Sequence, residues 1–154
     1  MEEIKIENFI ATYPYKVFPY WKALSIQECV KIKKEIILKL NLPSNVTDLN
    51  LIKSIEKKGV FKDILDLDHS ENIKITLANN LPSTKNKLIY INWYRMDRID
   101  QMYLIDLINN FEDIWYPSVD DIDIIDMSVS WILSISHFGE IKLTDLSEPE
   151  PRKN

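Results

Sequence analysis

From Glu112 to Thr144 apolar and polar side chains alternate in short runs, and no other feature narrows the fold as much. In DDIDIID, Ile122 and Ile124 point to one side of an extended chain and Asp121 and Asp123 to the other. Side chains of a strand alternate with period two. In SWILSIS, Trp131, Leu133 and Ile135 share a face opposite Ile132, Ser134 and Ser136. In EIKLT, Ile141 and Leu143 oppose Glu140, Lys142 and Thr144. With EDIWY, these segments predict four short strands, joined by P-S, D-M-S and H-F-G turns. The simplest sheet packs the isoleucines, leucines and Trp131 against helices. It leaves the carboxylates in water, because burying an unpaired carboxylate is costly.

Upstream the period lengthens. Ser25 and Glu28 form an S-x-x-E capping box. Behind it Cys29, Val30, Ile32, Ile36, Ile37 and Leu40 recur near helical spacing, with Lys31, Lys33, Lys34 and Lys39 opposite. Asn41 and Pro43 end that helix. A second helix is expected over Asp48–Lys58, with Gly59 at C′. Residues 60–68 fit either a short helix or a strand. Ile73, Ile75 and Leu77 alternate and read as a strand, as does LIYINWY at 88–94. Asp97 is expected to cap a third helix running to Asn110. The stretch TYPYKVFPYW, residues 12–21, reads as an extended arm, since its prolines oppose regular structure. Its rings either lie on the core or form an exposed docking strip. The expected architecture is one α+β domain over residues 1–146, with helices packed on one face of a mostly antiparallel sheet. A mobile tail is expected over 147–154.

Composition closes several routes. With 2 glycines, far apart at Gly59 and Gly139, no glycine-built phosphate loop is present. Cys29 is the only cysteine, so neither an internal disulfide nor a cysteine zinc site can form. It reads as a buried apolar thiol. The N-terminal MEEIKIENF lacks an apolar signal core, and no run of about 18 apolar residues occurs. A cytoplasmic location is expected, with no membrane, nucleic acid, metal or cofactor as partner. His69 and His137 read as polar turn residues, and the basic helix face as solvated.

Charge singles out one segment. Residues 97–126 carry nine Asp/Glu against one Arg, whereas 1–96 carry 15 Lys/Arg against 11 Asp/Glu. Such a segment repels phosphate backbones and attracts a basic partner or a cation. One reading is a recognition surface. Glu112, Asp113, Asp120, Asp121, Asp123 and Asp126 would steer a basic protein, with Trp115 and Tyr116 as anchors. Trp115 reads equally as a core residue. A second reading is a Mg²⁺-dependent nuclease of the PD-(D/E)xK type, with Asp121 or Asp123 and Glu140-Ile141-Lys142 as its skeleton. A third is an adaptor that uses the aromatic arm.

Residues 115–143 resemble a signature of small bacterial proteins found beside polymorphic toxins. Its pattern is approximately W-[YF]-P-x-S-D-D-[IV], an acidic turn, then S-x-x-W-x-L-x-I-x-H-x-G-x-[IV]. Trp115, Tyr116, Pro117, Asp120, Asp121, Trp131, Leu133, Ile135, His137, Gly139 and Ile141 match it, and Val119 stands where serine is common. The resemblance implies an α+β domain and a non-enzymatic immunity protein. Such a protein binds and neutralises a cognate basic toxin, for example a nuclease effector domain.

Overall fold

The computed structural model describes residues 1–82 and 87–147. In chain order these form α1 (Glu3–Thr12), β1 (Trp21–Ala23), α2 (Ile26–Lys39), α3 (Asp48–Lys58), β2 (Val60–Ile64) and α4 (Ser70–Asn80). Then follow β3 (Leu88–Asn92), β4 (Ile99–Tyr103), α5 (Leu104–Asn109), α6 (Phe111–Ile114), β5 (Ile122–Asp126), β6 (Trp131–Ile135) and β7 (Glu140–Asp145). The strands form one antiparallel sheet in the order β1-β4-β3-β5-β6-β7-β2. The fold is α+β. Apart from Ser147, the expected tail lies outside the described residues.

Helices cover both faces of this sheet, not one. Ile89, Ile91, Ile122, Ile124, Leu133 and Ile141 pack with Ile73, Leu77, Leu107 and Phe111 of α4 to α6. On the reverse face Ile99, Ile125 and Ile132 pack with Cys29, Ile32, Ile36, Leu51 and Ile55 of α2 and α3. The face expected to be wet carries Ile125 and Ile132 as well as aspartates and serines. Amphipathic α2 and α3 each need an apolar surface, and these isoleucines supply it.

The local signals explain which elements form as expected. The Glu28 N–H donates to Ser25 Oγ at 3.2 Å and the Ser25 N–H to Glu28 Oε2 at 2.7 Å, closing the capping box of α2. Cys29 is buried, and burial pushes its thiol pKa up. α3 starts after Thr47, whose hydroxyl accepts from the Asn50 N–H. Gly59 ends it without the left-handed turn expected there, at φ −62°. Close approach is what requires glycine. An added Cβ would lie 3.2 Å from Lys142 Cβ and 3.3 Å from Thr144 Oγ1. α3 is thereby seated against β7.

Three segments differ from expectation. Residues 70–80 form α4, because Ile73 and Leu77 are one helical turn apart and both buried while Ile75 is exposed. Residues 97–110 do not form one helix. Ile99, Asp100 and Met102 are buried on both faces of β4, which erases the alternation that marks a strand. The EDIWY segment makes α6 instead of a strand. In the aromatic arm Phe18 and Trp21 pack on the core, while Tyr15 and Val17 are exposed. Residues 60–64 become the edge strand β2, exposed throughout.

Asp126 fixes the turn between β5 and β6. Its carboxylate accepts from the backbone N–H groups of Ser128, Ser130 and Trp131 and from both serine hydroxyls. Within this turn Val129 takes a φ of 52°, a strained conformation for a β-branched residue. Lys39 of α2 donates to the Ser128 and Val129 carbonyls, each at 3.0 Å. Burial opposes ionisation of Asp126, but the Ser128, Trp131 and Ser130 donors outweigh it and hold the carboxyl below its usual pKa. A carboxyl lowered in this way stabilises the fold above about pH 4, and the contribution is lost as pH falls through its folded pKa. Asp126→Ala should cost about 2–4 kcal/mol in urea unfolding at pH 7 and flatten that acid limb.

Candidate functional site

The eight residues expected to form an acidic binding surface are dispersed. Trp115 is 1% exposed and stacks on Phe111, and its Nε1–H donates to the Asp120 carbonyl at 2.8 Å. It is core, not an anchor. Asp120 is buried against Lys5 of α1 and also accepts from the Tyr116 N–H at 2.7 Å. Lys5 has no exposed surface, and its Nζ lies 3.9 Å from the centre of the Tyr116 ring and 5.1 Å from that of Trp93. Asp126 is buried in its turn. Tyr116 is half-buried, with its hydroxyl accepting from Asn8 Nδ2 at 3.2 Å. Asp113 is half-buried, and burial pushes its carboxyl pKa up. Of the eight, Glu112 alone is exposed. The continuous acidic surface is therefore absent, because a cation from the far end of the chain and the donors of a tight turn take up its central carboxylates.

Asp121 and Asp123 meet elsewhere, in a cleft between α3 and the polar half of β5–β7. The register sets this up. Asp123 pairs with Ser134, which pairs with Lys142, so the three stand in one row across the sheet. The adjoining row is Ile125, Ile132 and Thr144. α2 and α3 close over the apolar row, and the Thr144 hydroxyl donates to the Ile55 carbonyl at 3.2 Å. Over the polar row they leave a cavity of about 510 Å³. Its rim carries Leu49, Tyr94 and Phe138, all exposed.

Most polar groups in the cleft are already matched. Asp123 accepts from the Ser134 hydroxyl at 2.6 Å and from Asn92 Nδ2 at 2.9 Å. Burial pushes its pKa up; these two hydrogen bonds oppose the rise, and Asp121 and Glu56 add to it. Asp121 Oδ1 accepts from the His137 N–H at 2.7 Å and lies 2.9 Å from His137 Nδ1. Glu140 pairs with Lys142 at 2.8 Å, and this carboxylate keeps the lysine pKa above its usual value. The turn bearing His137 is completed by Gly139 at φ +86°, where Leu65 packs at 3.1 Å from an added Cβ. Asp121, His137 and Gly139 thus build one corner. The Ser118 N–H donates to the His137 carbonyl at 2.8 Å, next to the Asp120 ion pair.

The nuclease skeleton has its residues in this cleft, since Asp121, Asp123, Glu140 and Lys142 all line it. Two strand spacings, about 10 Å, separate β5 from β7. A divalent cation needs its oxygens within about 2.6 Å. Among the described residues no group of three or more His, Cys, Asp or Glu is arranged to hold a metal ion. Among the described residues no helix is long and apolar enough to cross a membrane.

Sequence reasoning missed Lys5, Asn92, Glu56 and Tyr94. Lys5 and Phe9 lie one helical turn apart and are both buried, but a lone lysine in EIKIENF gives no sign of that. Comparison with protein-family models, curated proteins and solved structures finds no match.

Removing one member of a buried ion pair leaves the other charge uncompensated. Lys5→Ala should cost about 3–5 kcal/mol in chemical unfolding. The double variant Lys5→Met, Asp120→Asn should recover part of that loss, because no charge is then left unpaired.

Proposed function

We propose that this chain is a non-enzymatic immunity protein. It binds a basic bacterial toxin in the cytoplasm, a nuclease effector domain being the type that best suits its charge. The observation that carries this reading is the cleft beneath α3: an acidic floor inside an exposed apolar and aromatic rim. Protein hot spots favour that combination, with large rigid side chains around a pocket that excludes water. The similarity of residues 115–143 to proteins encoded beside toxins points the same way. The cleft takes the place of the continuous acidic surface as the contact region. Pairing of Glu140 with Lys142, and of Asp123 with Ser134 and Asn92, suits a preorganised recognition surface.

A metal-dependent nuclease is the second reading, favoured by the placement of Asp121, Asp123, Glu140 and Lys142 along one cleft. Two experiments separate the readings. Co-expression with a toxin encoded beside its gene should restore growth. Glu56→Lys with Phe138→Ala should abolish that rescue, and Glu112→Lys should retain it. Equal rescue by the double variant removes the cleft from the contact. Cleavage of DNA or RNA by the pure protein with Mg²⁺ or Mn²⁺, lost in Lys142→Ala, replaces the inhibitor with the nuclease.

A further inference from the structure

We propose that the cleft beneath α3 is an arginine socket, which receives one guanidinium presented by a protein partner. The source of that arginine rests on the inhibitor reading; the binding chemistry rests on the cleft itself. A volume of about 510 Å³ accommodates a long side chain with water to spare. Within it Glu140 is neutralised by Lys142. The remaining carboxylates are Glu56, Asp121 and Asp123, against Lys53 and the imidazole of His137.

Free acceptors decide where a cation would bind. Asp123 has one oxygen engaged by Ser134 and the other by Asn92. Asp121 receives both His137 contacts on Oδ1, and its Oδ2 accepts no hydrogen bond among the described residues. Glu56 likewise forms no side-chain hydrogen bond or ion pair among the described residues, although it faces the same space from α3. Glu56 and Asp121 both raise the Asp123 pKa, so each stands within electrostatic reach of Asp123. An entering cation relieves that repulsion. The fork of a guanidinium offers several donors to carboxylates that line a common cleft, where an ammonium acts as a point charge.

The rim favours the same group. Tyr94 and Phe138 are 42% and 72% exposed. Guanidinium is weakly hydrated and stacks on aromatic faces; Arg95 already lies over the Tyr94 ring at 5.8 Å and the His137 ring lies 3.9 Å from that of Phe138, so a guest would stack on the remaining face of either ring.

The test uses the folded full chain and N-acetyl-arginine amide, followed by NMR amide shifts. Saturable shifts are expected at residues 121–123, 134–138 and along α3, with none from N-acetyl-norleucine amide and weaker ones from the lysine amide. Glu56→Gln, an exposed and unpaired position, should weaken arginine binding at least about fivefold without altering the dispersion of the spectrum. The socket is overturned by the absence of saturable cleft shifts at about 50 mM arginine amide. Equal binding of the norleucine or lysine probe, or unchanged binding by Glu56→Gln, overturns it as well. Toxin neutralisation without arginine binding would leave the inhibitor standing and remove the socket; arginine binding by a chain that rescues no toxin would do the reverse.

Discussion

Both faces of the seven-stranded sheet need apolar cover, and this requirement determines the surroundings of the carboxylates in β5. Ile122 and Ile124 face α4 to α6, while Ile125 faces α2 and α3. Asp123 shares the second face with Ile125, so it cannot be an outward surface charge. Its surroundings answer with donors: Ser134 from β6 and Asn92 from β3. A half-buried carboxylate with two such donors is tolerated, whereas an unpaired one would be costly. The cleft is the geometric remainder. Helices close where the row is Ile125, Ile132 and Thr144, and stand away where it is Asp123, Ser134 and Lys142.

The other face is locked by charge reaching across the chain. Lys5 joins α1 to Asp120, and Asp120 in turn holds the Tyr116 N–H, while its carbonyl receives the Trp115 indole. Nearby, Asp100 of β4 accepts from Trp93 Nε1 at 2.7 Å and pairs with the Met1 ammonium. Desolvating such charges is expensive, and the extra donors and aromatic rings around Lys5 offset part of that cost. Their main effect is positional. They fix the 115–121 loop that carries Asp121 to the mouth of the cleft.

What could be read from the sequence was local. The Ser25–Glu28 box, the alternation in β5 to β7 and the glycine at the 136–139 turn each depend on residues a few positions apart. Alternation also placed Asp121, Asp123, Ser134, Ser136, Glu140 and Lys142 on a common face, which is half of the candidate site. The other half is tertiary. Nothing within α3 states which side of the sheet it covers, and nothing in EIKIENF announces a buried lysine. The α4 error has the same origin, since Ile73, Ile75 and Leu77 satisfy a period of two and a helical turn equally well until burial selects between them.

Row geometry also bears on what the cleft can do. Carboxylates on neighbouring strands can share one small cation, whereas those on β5 and β7 are kept apart by Ser134 and Ser136 of β6 and its flanking turn. A planar, delocalised cation makes no such demand, because its several donors need not converge on one point, which is how recognition differs from metal catalysis in its demands on distance. Exposed Phe138 and Tyr94 add to the difference. Rings at the mouth of a cavity contribute area and stacking to a side chain that enters and remains, whereas a phosphate backbone approaching the same mouth meets Glu56, Asp121, Asp123 and Glu140 against Lys53 and Lys142, a net negative charge. The position of the acids and the chemistry of the rim thus favour a cationic guest over a polyanionic substrate.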